Sequence, residues 1–215
     1  MRSTMRFIAL GLAGFMLVAC SHKDKNAPLA FVPADTPYAV ANLATLDDDT
    51  RTALLTQADA QLPAQLAQLN AMADDMAAKD PDTARLLRAF GAELKGQTVE
   101  TFAAHAGIDV KGRAAFYGLG LAPVLRFDLS DPAMFEEFIA RLETAYGKKL
   151  DAAQEDKQAY RRHVSTASGT EVILAIVGKQ AVIALLPDTA TPSLLRQALG
   201  LDRPTDDGAA RPLER

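Results

Sequence analysis

Hydrophobic positions fall into three regimes along the chain: an almost unbroken apolar run at the start, helical spacing through the first half, and short alternating or wholly apolar runs through the second. Residues 7–19 form the first run. Residues 20–30 then read as a flexible tether, because after Cys20 they are mixed in charge and lack any period. From Phe31 the pattern is that of a folded chain, and residues 38–43, entered through Pro33 and Pro37, read as a first strand.

Asp47, Asp48, Asp49 and Thr50 precede a long Ala/Leu/Gln segment in which Leu55, Leu62, Leu66, Leu69, Ala73 and Met76 recur at helical spacing. Pro63 predicts a kink there, or two helices meeting near residue 62. A second amphipathic helix is expected over 82–94, with Leu86, Leu87, Phe90 and Leu94 on its apolar side and Gly96 as its stop. A short helix over 98–106 follows. Residues 114–119 read as extended, and Leu125, Phe127 and Leu129 alternate with Val124, Arg126 and Asp128 as in a half-buried strand.

Asp131 and Pro132 form a helix start, from which Met134, Phe135, Phe138, Ile139, Leu142 and Tyr146 line one side until Gly147. Strands are expected over 158–166, 170–177 and 180–186, the last two joined by a tight turn at Gly178 and Lys179. Residues 172–177 and 181–186 are apolar on both faces, which predicts central strands covered on each side. A helix over 192–199 and a polar, disordered tail over 202–215 complete the pattern. It predicts an α+β domain over 31–201, a mainly antiparallel sheet packed with amphipathic helices.

The chain has 215 residues, 49% of them apolar, enough for a packed core. Without residues 1–19, which carry Arg2 and Arg6, 21 basic residues face 27 acidic ones, a net charge of −6. That balance supplies no basic stripe for phosphates and argues against nucleic acid as a partner.

Cys20 is the single cysteine. Arg2 and Arg6 give a positive start, residues 7–19 an apolar segment, and Leu17, Val18 and Ala19 a small-residue processing site, the three parts of a secretory signal. The apolar run falls short of the roughly 20 residues needed to span a bilayer. The quartet Leu17-Val18-Ala19-Cys20 resembles the lipobox of bacterial lipoproteins. The resemblance implies that residues 1–19 are a signal peptide cut away once a diacylglycerol, carrying chains such as palmitate, is attached to the Cys20 sulfur. It implies a further acyl chain on the new amine, and two or more chains anchor stably where one does not. Ser21 stands where retained inner-membrane lipoproteins carry aspartate, so the expected place is the outer membrane, lipid-anchored and facing the periplasm.

Candidate chemistry is sparse. His105 and His163 lie clear of the tether without metal-ligand spacing to a second histidine. Arg161, Arg162 and His163 form a short cationic stretch, read either as a solvated edge strand or as an anion contact for a lipid phosphate. Residues 47–49 lack the glycine and distal glutamate of a calcium loop and suit a helix cap. Asp74-Asp75 and Glu136-Glu137 fall on helices with neighbouring carboxylates pointing apart. Ser168 lacks the leading glycine of a nucleophile elbow, and Gly118-Leu119-Gly120 lacks the third glycine of a dinucleotide loop. No catalytic set, metal site or cofactor motif emerges.

Residues 31–38, Phe-Val-Pro-Ala-Asp-Thr-Pro-Tyr, and 116–126, Phe-Tyr-Gly-Leu-Gly-Leu-Ala-Pro-Val-Leu-Arg, resemble segments of the DUF3352-like group of bacterial envelope lipoproteins. That resemblance implies an α+β domain and brings no established activity; members tend to be longer. The expected role is therefore a lipid-anchored envelope protein, non-enzymatic, serving as a structural or interaction module for another envelope protein. The alternative is a periplasmic carrier of a lipid or other apolar ligand, suggested by the long Ala/Leu-rich helices and the two apolar strands. A hydrolase with a site assembled from distant residues ranks third.

Overall fold

Each helix of the computed structural model, which describes residues 26–42, 47–165 and 167–203, starts at a side chain that accepts a hydrogen bond from its first turn. Asp47 caps α1 (Asp48–Met76), Asp80 caps α2 (Pro81–Leu94) and Thr98 caps α3 (Val99–His105). Asp131 caps α4 (Pro132–Tyr146) and Thr191 caps α5 (Pro192–Leu199). In α2, α4 and α5 a proline follows the cap, where its fixed φ suits the helix and its missing N–H loses no bond. Gly147 and Gly200 end α4 and α5 in the left-handed conformation, at φ of 88° and 79°.

The strands are β1 (Ala39–Asn42), β2 (Ala114–Leu119), β3 (Ala122–Asp128), β4 (Asp151–Glu155), β5 (Gln158–Ser165), β6 (Thr170–Val177) and β7 (Gln180–Pro187). They form one antiparallel sheet in the order β1-β2-β3-β7-β6-β5-β4. The fold is α+β. The wholly apolar strands β6 and β7 sit at the centre, as their composition requires, because each face of the sheet carries its own core.

On one face Phe135, Phe138, Ile139, Leu142 and Tyr146 of α4 pack over Leu174 and Ala181, α2 packs on α4, and α1 packs outward on α2 and α3. On the other face Leu199 and Ala198 of α5 and Val32 cover Tyr117, Val124, Ile173, Val182, Ala184 and Leu186. The two faces are distinguished by register, since successive side chains alternate.

Four sequence expectations are corrected. At Pro63, on the exposed side, α1 runs on as one helix rather than as two that meet near residue 62. On α2 the most buried residues are Ala84, Ala89 and Gly91, while Phe90 lies at the surface. Gly91 faces α1, where an added Cβ would lie 3.4 Å from Leu69 Cδ2, and Ala89 packs into the cluster formed with α4. Strand β3 alternates as a half-buried strand, but its deeply buried side is Ala122, Val124 and Arg126 rather than Leu125 and Phe127, which are only partly covered, and Arg126 is fully buried. Strand β4 carries no apolar alternation and went unpredicted; it pairs with β5 through a turn in which Asp156 has a φ of 50°.

At the start of the domain, Pro28–Phe31 form a 3-10 turn and Pro28 is buried, so residues 26–30 belong with the fold although they read as tether. Gln180 Nε2 donates to the Asn26 carbonyl at 2.7 Å. At the other end Arg196 holds Asp202, the first residue of the expected tail, at 3.0 Å. Leu17, Val18, Ala19 and Cys20 lie outside the described residues. Among the described residues no helix is long and apolar enough to cross a membrane.

Candidate interaction surface

Arg161, Arg162 and His163 do not form one cationic patch. Strand alternation on β5 places Arg161 and His163 on the α4 face and Arg162 on the opposite one. Arg161 meets Glu136 at 2.7 Å and Glu143 at 3.7 Å, both on α4, and Arg162 meets Glu171 at 3.7 Å. Each arginine thus faces a carboxylate of this chain. The solvated-edge reading fails as well, because β5 lies between β4 and β6 and His163 is buried. His105 is exposed, with Nδ1 at 3.0 Å from Gln97 Oε1.

His163 belongs to a polar cluster that sequence spacing could not reveal. Asp80 Oδ2 accepts from Ser165 Oγ at 2.7 Å and from Thr83 Oγ1 at 2.8 Å, and Asp80 Oδ1 accepts from the Thr83 N–H at 3.0 Å. His163 Nε2 lies 2.8 Å from Thr83 Oγ1, and Nδ1 lies 3.5 Å from the Tyr146 hydroxyl. Burial raises the Asp80 carboxyl, but the hydrogen bonds from Thr83 and Ser165 outweigh it and hold the group at about 2. Burial pushes His163 below its ordinary value, with the Asp80 charge opposing. Serine, histidine and aspartate converge here, yet the wiring differs from a nucleophilic triad: Ser165 donates to the carboxylate, and the imidazole contacts Thr83. The arrangement ties the first turn of α2 to β5 and α4.

Arg126 dominates the opposite face. Its guanidinium stacks 3.7 Å from the centroid of the Phe31 ring, donates to the Ala198 carbonyl at 3.3 Å and to Gln180 Oε1 at 3.4 Å. Burial lowers its pKa, and the same burial raises that of the neighbouring Tyr117 hydroxyl. Arg126 therefore fastens the 3-10 turn, the end of α5 and the sheet to one another. A cleft of about 320 Å³ beside it, open to solvent, is lined by Phe31, Thr36, Gly120, Leu194, Gln197 and Arg203 among others.

The feature with most capacity for recognition is a bare strip of sheet. Cross-strand register sets Val40, Phe116, Leu125, Ile183, Leu174, Arg161 and Ala152 in one row across all seven strands of the α4 face. In the middle of this row α4 covers Leu174 and Ile183. At its β1 end the cover stops: Val40 is 72% exposed and Phe116 43%. Leu185, two residues from Ile183 on the same face, is 40% exposed, and the Tyr38 ring lies 5.6 Å from that of Phe116. Leu121, in the β2–β3 turn, is 91% exposed. Among the described residues no strand lies beside the outer edge of β1, and this strand and the residues before it are held to β2 by Thr36 Oγ1, which donates to Gly118 O at 2.6 Å, and by Asn42 Oδ1, which accepts from the Ala114 N–H.

Sequence patterning missed this strip, because a hydrophobic residue on a strand signals a buried face and only the placement of α4 shows which part stays uncovered. Comparison with protein-family models, with curated proteins and with solved structures finds no match to this chain.

Proposed function

We propose that the protein is a non-enzymatic interaction module of the cell envelope, held to the outer membrane on the periplasmic side by acyl chains on Cys20, and that it docks a partner envelope protein on the bare strip of the sheet. The observation that carries the docking role is the exposure of Val40 and Phe116 at the end of a row whose middle is sealed by α4. Contiguous exposed apolar residues on a sheet face, next to an edge strand, are features of binding surfaces. The anchor rests on the Leu17-Val18-Ala19-Cys20 sequence. Central strands packed on both sides favour this role over that of a lipid carrier.

A photo-crosslinking residue at position 40 of the full-length chain in its native cell tests the docking surface. A discrete adduct with one envelope protein, abolished by Phe116→Ser without loss of folding, is the expected result. Absence of any adduct from positions 40 and 116 overturns the reading. Metabolic labelling with palmitate tests the anchor: label should enter the wild type and not Cys20→Ala.

A further inference from the structure

We propose that His163 is an acid-sensitive lock between the outer helical pair α1–α2 and the sheet, closed while the imidazole is neutral and loosened when it gains a proton. The direction of the hydrogen bonds supports this. The Thr83 hydroxyl gives its proton to Asp80 Oδ2 at 2.8 Å, so Thr83 Oγ1 can only accept from His163 Nε2, also at 2.8 Å. His163 Nδ1 is then an acceptor, and the Tyr146 hydroxyl is its donor at 3.5 Å. The chain Tyr146 to His163 to Thr83 to Asp80 runs one way, and each donor meets an acceptor only with the neutral Nε2–H tautomer.

A second ring proton would set Nδ1–H against the Tyr146 hydroxyl donor. Tyr146, whose ring packs with Phe135, Phe138 and Leu142 and whose hydroxyl oxygen already accepts from Lys148, would have to turn its own proton away. The charge would also be buried, since His163 has only 9% of its surface exposed.

Charged groups face the ring from several elements. Asp80 and Asp82 of the α2 start and Asp151 of β4 favour the imidazolium, while Lys148, after α4, opposes it. Asp82 is paired with Lys148 and Arg85, whose positive charges offset its pull on the ring, whereas Asp80 is kept ionised by Thr83 and Ser165 and is the chief group favouring the proton. Arg85 and Lys148 also sit over the Tyr146 ring at 5.9 and 5.4 Å. Burial is the largest influence, so the folded state takes up the proton less readily than the unfolded chain. Stability contributed by the neutral ring is complete above the ordinary histidine range and declines as pH falls through the lowered folded value.

The cluster sits at the first turn of α2, where Asp80 is the cap, and α1 packs on α2 and α3. Loosening it frees the start of the outer layer before the central strands. The lock requires neither the lipid anchor nor the bare strip.

Hydrogen exchange read by mass spectrometry on the full-length protein in detergent, at pH 7.5 and 5.5 with times scaled for intrinsic exchange, tests the proposal. Linkage to one proton limits the change to about tenfold per pH unit. The expected result is a several-fold loss of protection at the acidic pH in residues 81–90, smaller in β6 and β7, abolished in His163→Gln and retained in His105→Gln. An unchanged wild type, or the same loss in His163→Gln, overturns the proposal. If His163→Gln does not fold, Tyr146→Phe decides: removing the donor to Nδ1 must move the loosening to higher pH, and an unmoved transition overturns the lock.

Discussion

Replacing Arg126 by methionine separates what the charge contributes from what the shape contributes. The side chain is fully buried, and its partners are neutral: the Phe31 ring at 3.7 Å, the Ala198 carbonyl at 3.3 Å and Gln180 Oε1 at 3.4 Å. Stacking of a desolvated cation on an aromatic ring contributes about 2 kcal/mol. Two long hydrogen bonds from a charged donor add about 1.5 kcal/mol each. Against this, taking the guanidinium out of water costs several kcal/mol, about 5 for the present purpose. The opposing effects nearly cancel, so Arg126→Met, which keeps most of the volume, should change unfolding free energy by less than about 2 kcal/mol in either direction. Arg126→Ala removes the packing as well and should lose about 3 kcal/mol or more, comparable to Phe31→Ala. Urea unfolding followed by circular dichroism, with midpoint and slope fitted separately, measures all three. A methionine variant as damaged as the alanine variant refutes the reasoning, because the charge itself would then be what holds the 3-10 turn and α5 to the sheet.

Gly107 has a φ of 66°, and an added Cβ would meet the Asp131 carbonyl and lie 2.8 Å from Met134 Cβ, so Gly107→Ala should destabilise by about 2 kcal/mol or more in the same urea assay. Asp80 is held at about 2 rather than its ordinary 3.8, so it binds fewer protons folded than unfolded, and its contribution is present above pH 4 and lost as pH falls toward 2. Asp80→Asn, which still caps α2, should be less stable than wild type by ~2 kcal/mol at pH 7, a gap that closes by pH 2; a gap that does not narrow contradicts the assignment. Val40→Thr should shift stability only slightly, by about 0.5 kcal/mol or less, since that side chain is already largely in water, and Phe116→Ser by about 1–2 kcal/mol, since more than half of it is covered; a loss of about 3 kcal/mol or more from Phe116→Ser would mean that the strip is part of the core.

Much of the fold was legible because its signals are local. Asp131, Pro132 and Gly147 bracket α4, and Pro192 opens α5, with boundaries that caps and prolines dictate without tertiary help. The two-faced apolar runs of β6 and β7 announced central strands for the same reason. What escaped depends on neighbours distant in sequence. Strand β4 reads Asp-Ala-Ala-Gln-Glu and is a strand through its pairing with β5. Pro63 is tolerated within α1 although it cannot donate a helical bond, and no periodicity distinguishes that outcome from a break. Arg126 looked like an outward polar residue until Phe31 and α5 covered it. For the candidate sites the contrast is sharper. Arg161 and Arg162 were visible as charges, but their partners Glu136, Glu143 and Glu171 lie on other elements. His163 acquired meaning only through Asp80, Thr83 and Tyr146, which the chain brings to it from up to 83 residues away, as counted from Asp80 to His163.

Asn26, held by Gln180, also has its side-chain oxygen 3.4 Å from Arg203 Nη2, so the first and last described residues of the domain are neighbours. A short peptide could splice position 203 back to position 26 and the backbone could be reopened at the β2–β3 turn, giving a circular permutant with the same sheet. Such a rearranged chain would relocate both ends to the other end of β3 from the one that pairs with Gln180, and would let the point of attachment be chosen independently of the surface it presents.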